Sequence, residues 1–169
     1  MCKYLKKQKD GVKIGLFFKI PMEKGNLRIE SILELFIKIE NYNWHIPVND
    51  CLVFTNNKYG DNNFLDNKEF ETGSKLKEAL TTTDFYPIFL NLRAYLHEIP
   101  TFEISNTSVN TIPEFLNSKC SLMFVIIDCY EIAVFVKNIE DFPNIQQEIL
   151  SQGYEDFRFI DKSANWHFS

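Results

Sequence analysis

A chain of 169 residues with 45% hydrophobic, 15% aromatic and 24% charged residues carries enough apolar side chain for one compact core and is too apolar for wholesale disorder. Its net charge of −5 argues against a protein that coats nucleic acid, and no segment approaches the ~20 apolar residues of a membrane-spanning helix.

In chain order, residues 1–11 read as a basic leader and residues 12–169 as a single domain. Val12 to Ile20 is rich in aliphatic and aromatic residues and predicts a strand ended by Pro21. From Gly25-Asn26 onward, Ile29, Ile32, Leu33, Phe36 and Ile39 recur at helical spacing, which predicts an amphipathic helix ending near Asn41. Trp44–Pro47 and Cys51–Thr55 read as two short strands around the turn residues Asn49-Asp50. Residues 56–68 are dense in Asn and Asp and read as a long loop or irregular hairpin.

Ser74–Thr82 predicts a short helix packing Leu76, Ala79 and Leu80, and Tyr86–Tyr95 a strand. Thr111-Ile112-Pro113-Glu114 has the form of a capping box with proline in the first turn, so a short helix through Asn117 is expected. Ser121–Ile127 and Glu131–Lys137 flank Asp128-Cys129-Tyr130 as an antiparallel hairpin whose tight turn lacks the favoured glycine. Asp141 and Pro143 start a last helix, Gly153 sits where it should end, and Tyr154–Ile160 is the final strand. A direct hairpin among strands followed by single helices implies the α+β class. The expected architecture is a mixed, largely antiparallel sheet with three to four helices packed mainly on one face.

The charge is uneven. Lys3, Lys6, Lys7, Lys9, Lys13, Lys19 and Lys24 face only Asp10 and Glu23 in the first 24 residues, so that stretch carries +5 and the remainder −10. The leader lacks the interleaved arginines and stacking aromatics of a nucleic-acid arm. It also lacks the apolar core of a secretory signal. A cytoplasmic protein with reduced thiols, partnering neither nucleic acid nor membrane, is the simplest expectation.

Chemistry-bearing motifs are sparse. The six glycines form no phosphate-binding loop. His45, His97 and His167 are scattered, and Cys2, Cys51, Cys120 and Cys129 show no zinc-ligand spacing, so no cofactor and no metal site is expected. Cys129 is the best placed thiol, on a turn, but its neighbour Asp128 is a carboxylate and disfavours the thiolate. No catalytic residue is assigned. Trp44, Arg93 and Tyr95 form a set of the residue types enriched at binding hot spots, against the plainer reading of an arginine stem packed over a sheet.

Asn43-Trp44-His45-Ile46, then Tyr86 through Tyr95, then Ser118-Lys119-Cys120 leading into Val125-Ile126-Ile127-Asp128, then Gly153-Tyr154 with Phe159-Ile160-Asp161, occur in that order. In these the chain resembles a family of small bacterial proteins, catalogued only as a domain of unknown function and known chiefly from Gram-positive spore-formers. The resemblance spans roughly residues 12 to 165 and implies a stand-alone cytoplasmic bacterial protein; it brings no activity, cofactor or site residue.

Charge and size favour a non-enzymatic domain that binds a basic protein partner, as an immunity or regulatory protein does, through Asp61, Asp66, Glu69 and Glu71. The alternatives are an enzyme with a scattered site around Asp128 and Cys129, and a small-ligand-binding or homo-oligomeric module using exposed aromatics such as Trp44 and Tyr95.

Overall fold

A computed structural model describes residues 11–21, 27–60, 64–137 and 142–168. Its centre is an eight-stranded sheet: β1 (Lys13–Lys19), β2 (Tyr42–Thr55), β3 (Lys58–Gly60), β4 (Phe70–Thr72), β5 (Phe85–Leu96), β6 (Leu122–Ile127), β7 (Glu131–Val136) and β8 (Glu155–Asp161). The strand order is β3-β2-β5-β6-β7-β1-β8, with β4 also paired to β2. Every pairing among the described residues is antiparallel, so the parallel component of the expected mixed sheet is absent there.

Among the described residues five α-helices flank the sheet: α1 (Ile29–Leu33), α2 (Gly73–Thr82), α3 (Thr101–Ser105), α4 (Ile112–Asn117) and α5 (Phe142–Ser151). The α+β class stands, but the helices exceed the three to four expected and occupy both faces. On one face Leu16, Phe18, Trp44, Leu92 and Phe124 pack under α1, α2 and α5 through Ile32, Leu33, Leu76 and Ile149. On the other, Phe17, Tyr95, Met123 and Phe135 pack under α3 and α4 through Ile104, Ile112 and Phe115, with Phe168 completing the cover. Side chains alternate across a strand, so a strand covered on both faces is apolar throughout. That is why Ile14 to Phe18 are all buried and why the N-terminal run alternates so imperfectly. Each such buried side chain contributes about 1.5–3 kcal/mol.

The β6–β7 hairpin, α2, β5, α4 and β8 fall where the sequence places them. Thr111 Oγ1 accepts from the Glu114 N–H at 3.4 Å, and Gly153 at φ 76 ends α5. Two expectations fail. The long helix expected from Gly25-Asn26 to Asn41 is, over the described residues 27–41, a short α1, then a turn, then a 3₁₀ turn over Ile39–Asn41. Tertiary contacts win over its periodicity: Trp44 Nε1 donates to the Ile39 carbonyl at 3.1 Å, and Gly73 packs against the same backbone. The two short strands around Asn49-Asp50 are one 14-residue strand, β2, with register shifts between His45 and Val48 and between Asp50 and Cys51. The first shift accommodates Pro47, which has no N–H for the ladder. Helix α3, following Pro100, carried no signal that was read.

Residues 56–68 divide into the β2–β3 hairpin, turned on Asn56 and Asn57 at φ 51 and 61, and a left-handed 3₁₀ turn at Leu65–Asn67. Residues 1–10 of the basic leader and Asp61 lie outside the described residues.

Candidate functional groove

At one end of the sheet, five segments distant in sequence enclose a groove of about 900 Å³. The first residue after β1, Ile20, lines the groove with Leu27 and Arg28 at the entry to α1. Leu80 from the last turn of α2 and Phe85 at the start of β5 add apolar wall, and Asp84 precedes that strand. Tyr59 of β3, Tyr86 of β5 and Tyr130 in the turn before β7 bring three phenols into the same lining.

Antiparallel pairing explains the convergence. The beginnings of β5 and β7 and the ends of β1 and β6 all lie at this end of the sheet, and the α1 and α2 termini overhang it. The tyrosine rings remain exposed, at 54% for Tyr59, 47% for Tyr86 and 36% for Tyr130. Phe54, Tyr59 and Tyr86 form a chain of ring contacts with centroids 5.0 and 6.3 Å apart.

The β6–β7 turn supplies the groove's most constrained residues. Asp128 and Cys129 both have positive φ, 49 and 72, and Tyr130 N–H donates to the Ile127 carbonyl at 3.3 Å. This pattern of two left-handed central residues suits the twist of a hairpin and normally calls for Asn-Gly. Asp tolerates it; a cysteine there stores strain of roughly 1–2 kcal/mol. The Tyr86 phenol is pushed above its ordinary value, first by its hydrogen bond with the Cys129 side chain and then by burial.

Asp128 and Cys129 thus share a groove, as a scattered-site enzyme requires, but no histidine lines it among the described residues. Cys51 and Cys120 are buried, and burial pushes both thiols up to about 12. Among the described residues no group of three or more His, Cys, Asp or Glu is arranged to hold a metal ion.

The hot-spot set read from the sequence is dispersed. Trp44 and Tyr95 are 0% and 1% exposed and belong to opposite cores, so neither ring reaches the surface. Arg93 is buried on the Tyr95 face, where Nε donates to Asn91 Oδ1 at 3.4 Å. Asn91 Nδ2 in turn donates to the Phe168 carbonyl at 3.2 Å. That chain of bonds ties residue 168 to the sheet, which is a fastening rather than an open surface. Burial pulls the Arg93 guanidinium below its ordinary value, and burial followed by the Arg93 charge lowers His45.

The acidic set fares unevenly. Glu69 Oε1 lies 3.1 Å from His45 Nε2, and Lys68 reaches Glu71 at 3.4 Å and Asp66 at 4.0 Å. The Glu71 side chain is 7% exposed, with its other oxygen accepting the Thr72 N–H. Asp66, at 85%, and Glu69, at 59%, stay open to solvent, while Glu71 is covered. Tyr59, Tyr86, Arg28 and Asp84 lie on separate segments, and no local pattern in the sequence marks them as neighbours.

A family model of proteins of unknown function, DUF2691, matches residues 13–167. The chain belongs to that family. It is also 30% identical over 146 residues to the uncharacterised protein YncE of Bacillus subtilis (strain 168), covering 86% of this chain and 90% of the relative. The bacterial resemblance read from the sequence is therefore correct. No solved structure matches the chain. No helix among the described residues is long and apolar enough to cross a membrane.

Proposed function

We propose that the protein is a non-enzymatic binding module that takes a small organic ligand into the groove between the α1 and α2 termini and the β6–β7 turn. One observation carries this reading: the groove's volume of about 900 Å³ lies within the range of small-molecule sites, and its lining mixes apolar walls with a few convergent polar groups. The Tyr86–Cys129 pair offers a hydrogen-bonding group at a fixed place, while the absent histidine removes the usual partner of a thiol nucleophile. A basic protein held by Asp66, Glu69 and Glu71 draws less from the molecule, because Glu71 is covered and Lys68 and His45 already face the three carboxylates.

The test is a fragment screen followed by amide chemical shifts. Hits should move the resonances of Tyr59, Tyr86 and Cys129, and the groove-filling Leu80→Trp variant should abolish them. A folded wild-type protein in which no fragment touches those residues overturns the reading.

A further inference from the structure

We infer that the ligand is an organic cation, an ammonium group on a small apolar body, whose head sits against Tyr59 and Tyr86 with Asp84 and Asp128 as counter-charges. This rests on the ligand-binding reading above and specifies its chemistry.

The first support is the balance of charge. Among the described lining residues, Arg28 is the one cation, against Glu30, Asp84 and Asp128. Asp84 and Asp128 make no ion pair within the described residues, and the Glu30 carboxylate accepts only from Ser31 Oγ, at 3.3 Å. An anionic ligand would meet one guanidinium and three carboxylates, and the like charges would oppose it. A cation meets the reverse.

The second support is aromatic. The face of a phenol ring is electron-rich and attracts a cation within about 6 Å of its centroid, and cages of such rings recognise quaternary ammonium groups. Three tyrosines, each more than a third exposed, border one groove. Tyr130 already faces a cation of the protein itself, Lys19 Nζ at 5.9 Å from its ring centroid, which leaves Tyr59 and Tyr86, with ring centroids 6.3 Å apart, as the rings open to a ligand. Ile20, Leu27, Leu80 and Phe85 supply the apolar wall for the body of the ligand. A weakly hydrated alkylammonium suits such a site better than a metal ion, because rings and scattered carboxylates offer no compact oxygen shell.

The carboxylates also permit a clean test. Asp84 and Asp128 are both exposed, and asparagine tolerates the left-handed conformation of residue 128 as aspartate does. Asp84→Asn and Asp128→Asn should therefore leave the fold intact.

The experiment titrates the full-length protein with choline and with its uncharged isostere 3,3-dimethylbutan-1-ol, following amide shifts and the ligand methyl resonances. Choline should bind at least fivefold more tightly, with its methyl protons shifted upfield by the rings, and the double Asp84→Asn/Asp128→Asn variant should erase most of that preference. Equal or tighter binding of the alcohol at the groove overturns the cation and leaves the ligand-binding reading standing. If neither probe moves a groove resonance while fragments do, the cation is again overturned alone; if fragments also fail, both fall. A Gly-Lys-Gly peptide forms the last arm. Tighter binding of its lysine than of choline assigns the cage to a protein partner and overturns the free ligand.

Discussion

The backbone N–H of Cys129 donates to the Ile88 carbonyl across 3.1 Å, clamping the tip of the β6–β7 hairpin onto β5. The bond comes from a residue in the left-handed region, at φ 72, and it fixes the turn beside β5. A single turn thereby shapes one wall of the groove and stores backbone strain there.

Replacing Cys129 by glycine releases that strain, worth roughly 1–2 kcal/mol, and loses about 0.5–1 kcal/mol to the greater freedom of glycine in the unfolded chain. Cys129→Gly should thus be more stable than wild type by about 0.5 kcal/mol, whereas Cys129→Val, β-branched at positive φ, should be less stable by more than about 1 kcal/mol. Urea unfolding midpoints at unchanged slope report both. A glycine variant that unfolds earlier than the valine variant refutes the turn geometry.

Gly73 opens α2 where the helix meets the 3₁₀ turn. A Cβ there would lie 2.1 Å from the Ile39 carbonyl oxygen and 2.7 Å from Glu40 Cα. Both are backbone atoms and cannot swing aside. Gly73→Ala should cost about 3 kcal/mol, the upper end of ordinary overpacking, and lower the thermal midpoint by several degrees. Gly60→Ala is the control, since its Cβ meets nothing nearer than the Val53 carbonyl oxygen at 3.9 Å. Equal melting of the two variants contradicts the close approach of α2 to residues 39–40.

Local chemistry made part of this fold legible. Thr111 to Glu114 announces its own helix start, and the two apolar runs around Asp128-Cys129 announce their hairpin, because turn and cap residues act on neighbours in sequence. The helix expected through Asn41 failed for the opposite reason. Its register is set by Trp44 and Gly73, which lie beyond the segment and leave no mark in its periodicity. Trp44, Arg93 and Tyr95 are buried although their composition suits a surface, because a strand's alternation shows two faces without showing that both are covered. With helices on each side, their composition signals core and fastening, not an interface. The groove was half visible: Asp128 and Cys129 stood out as turn residues, but Tyr59, Tyr86, Asp84 and Arg28 meet them only through the strand order.

The capping box gives the pH dependence most open to measurement. Glu114 Oε2 accepts the Asn110 N–H at 2.6 Å and the Ser108 hydroxyl at 2.9 Å. These bonds, the one from Asn110 foremost, hold the Glu114 carboxyl below its ordinary value of 4.5. A carboxyl depressed by folding stabilises the protein above its unfolded value, and that contribution is lost as pH falls through the lower, folded one. Glu114→Gln keeps the shape of the side chain but removes the charge that strengthens both bonds. The variant should be less stable than wild type near neutral pH. The gap should narrow as pH drops below 4.5 and close once the wild-type carboxyl is protonated. Glu40, also held low by its bond to Lys77, and Asp161, held low by Ser163, are common to both proteins and cancel in the difference. Urea unfolding of the pair across this acid range measures it. A gap that stays constant with pH assigns the loss to side-chain shape and removes the charged cap from the account.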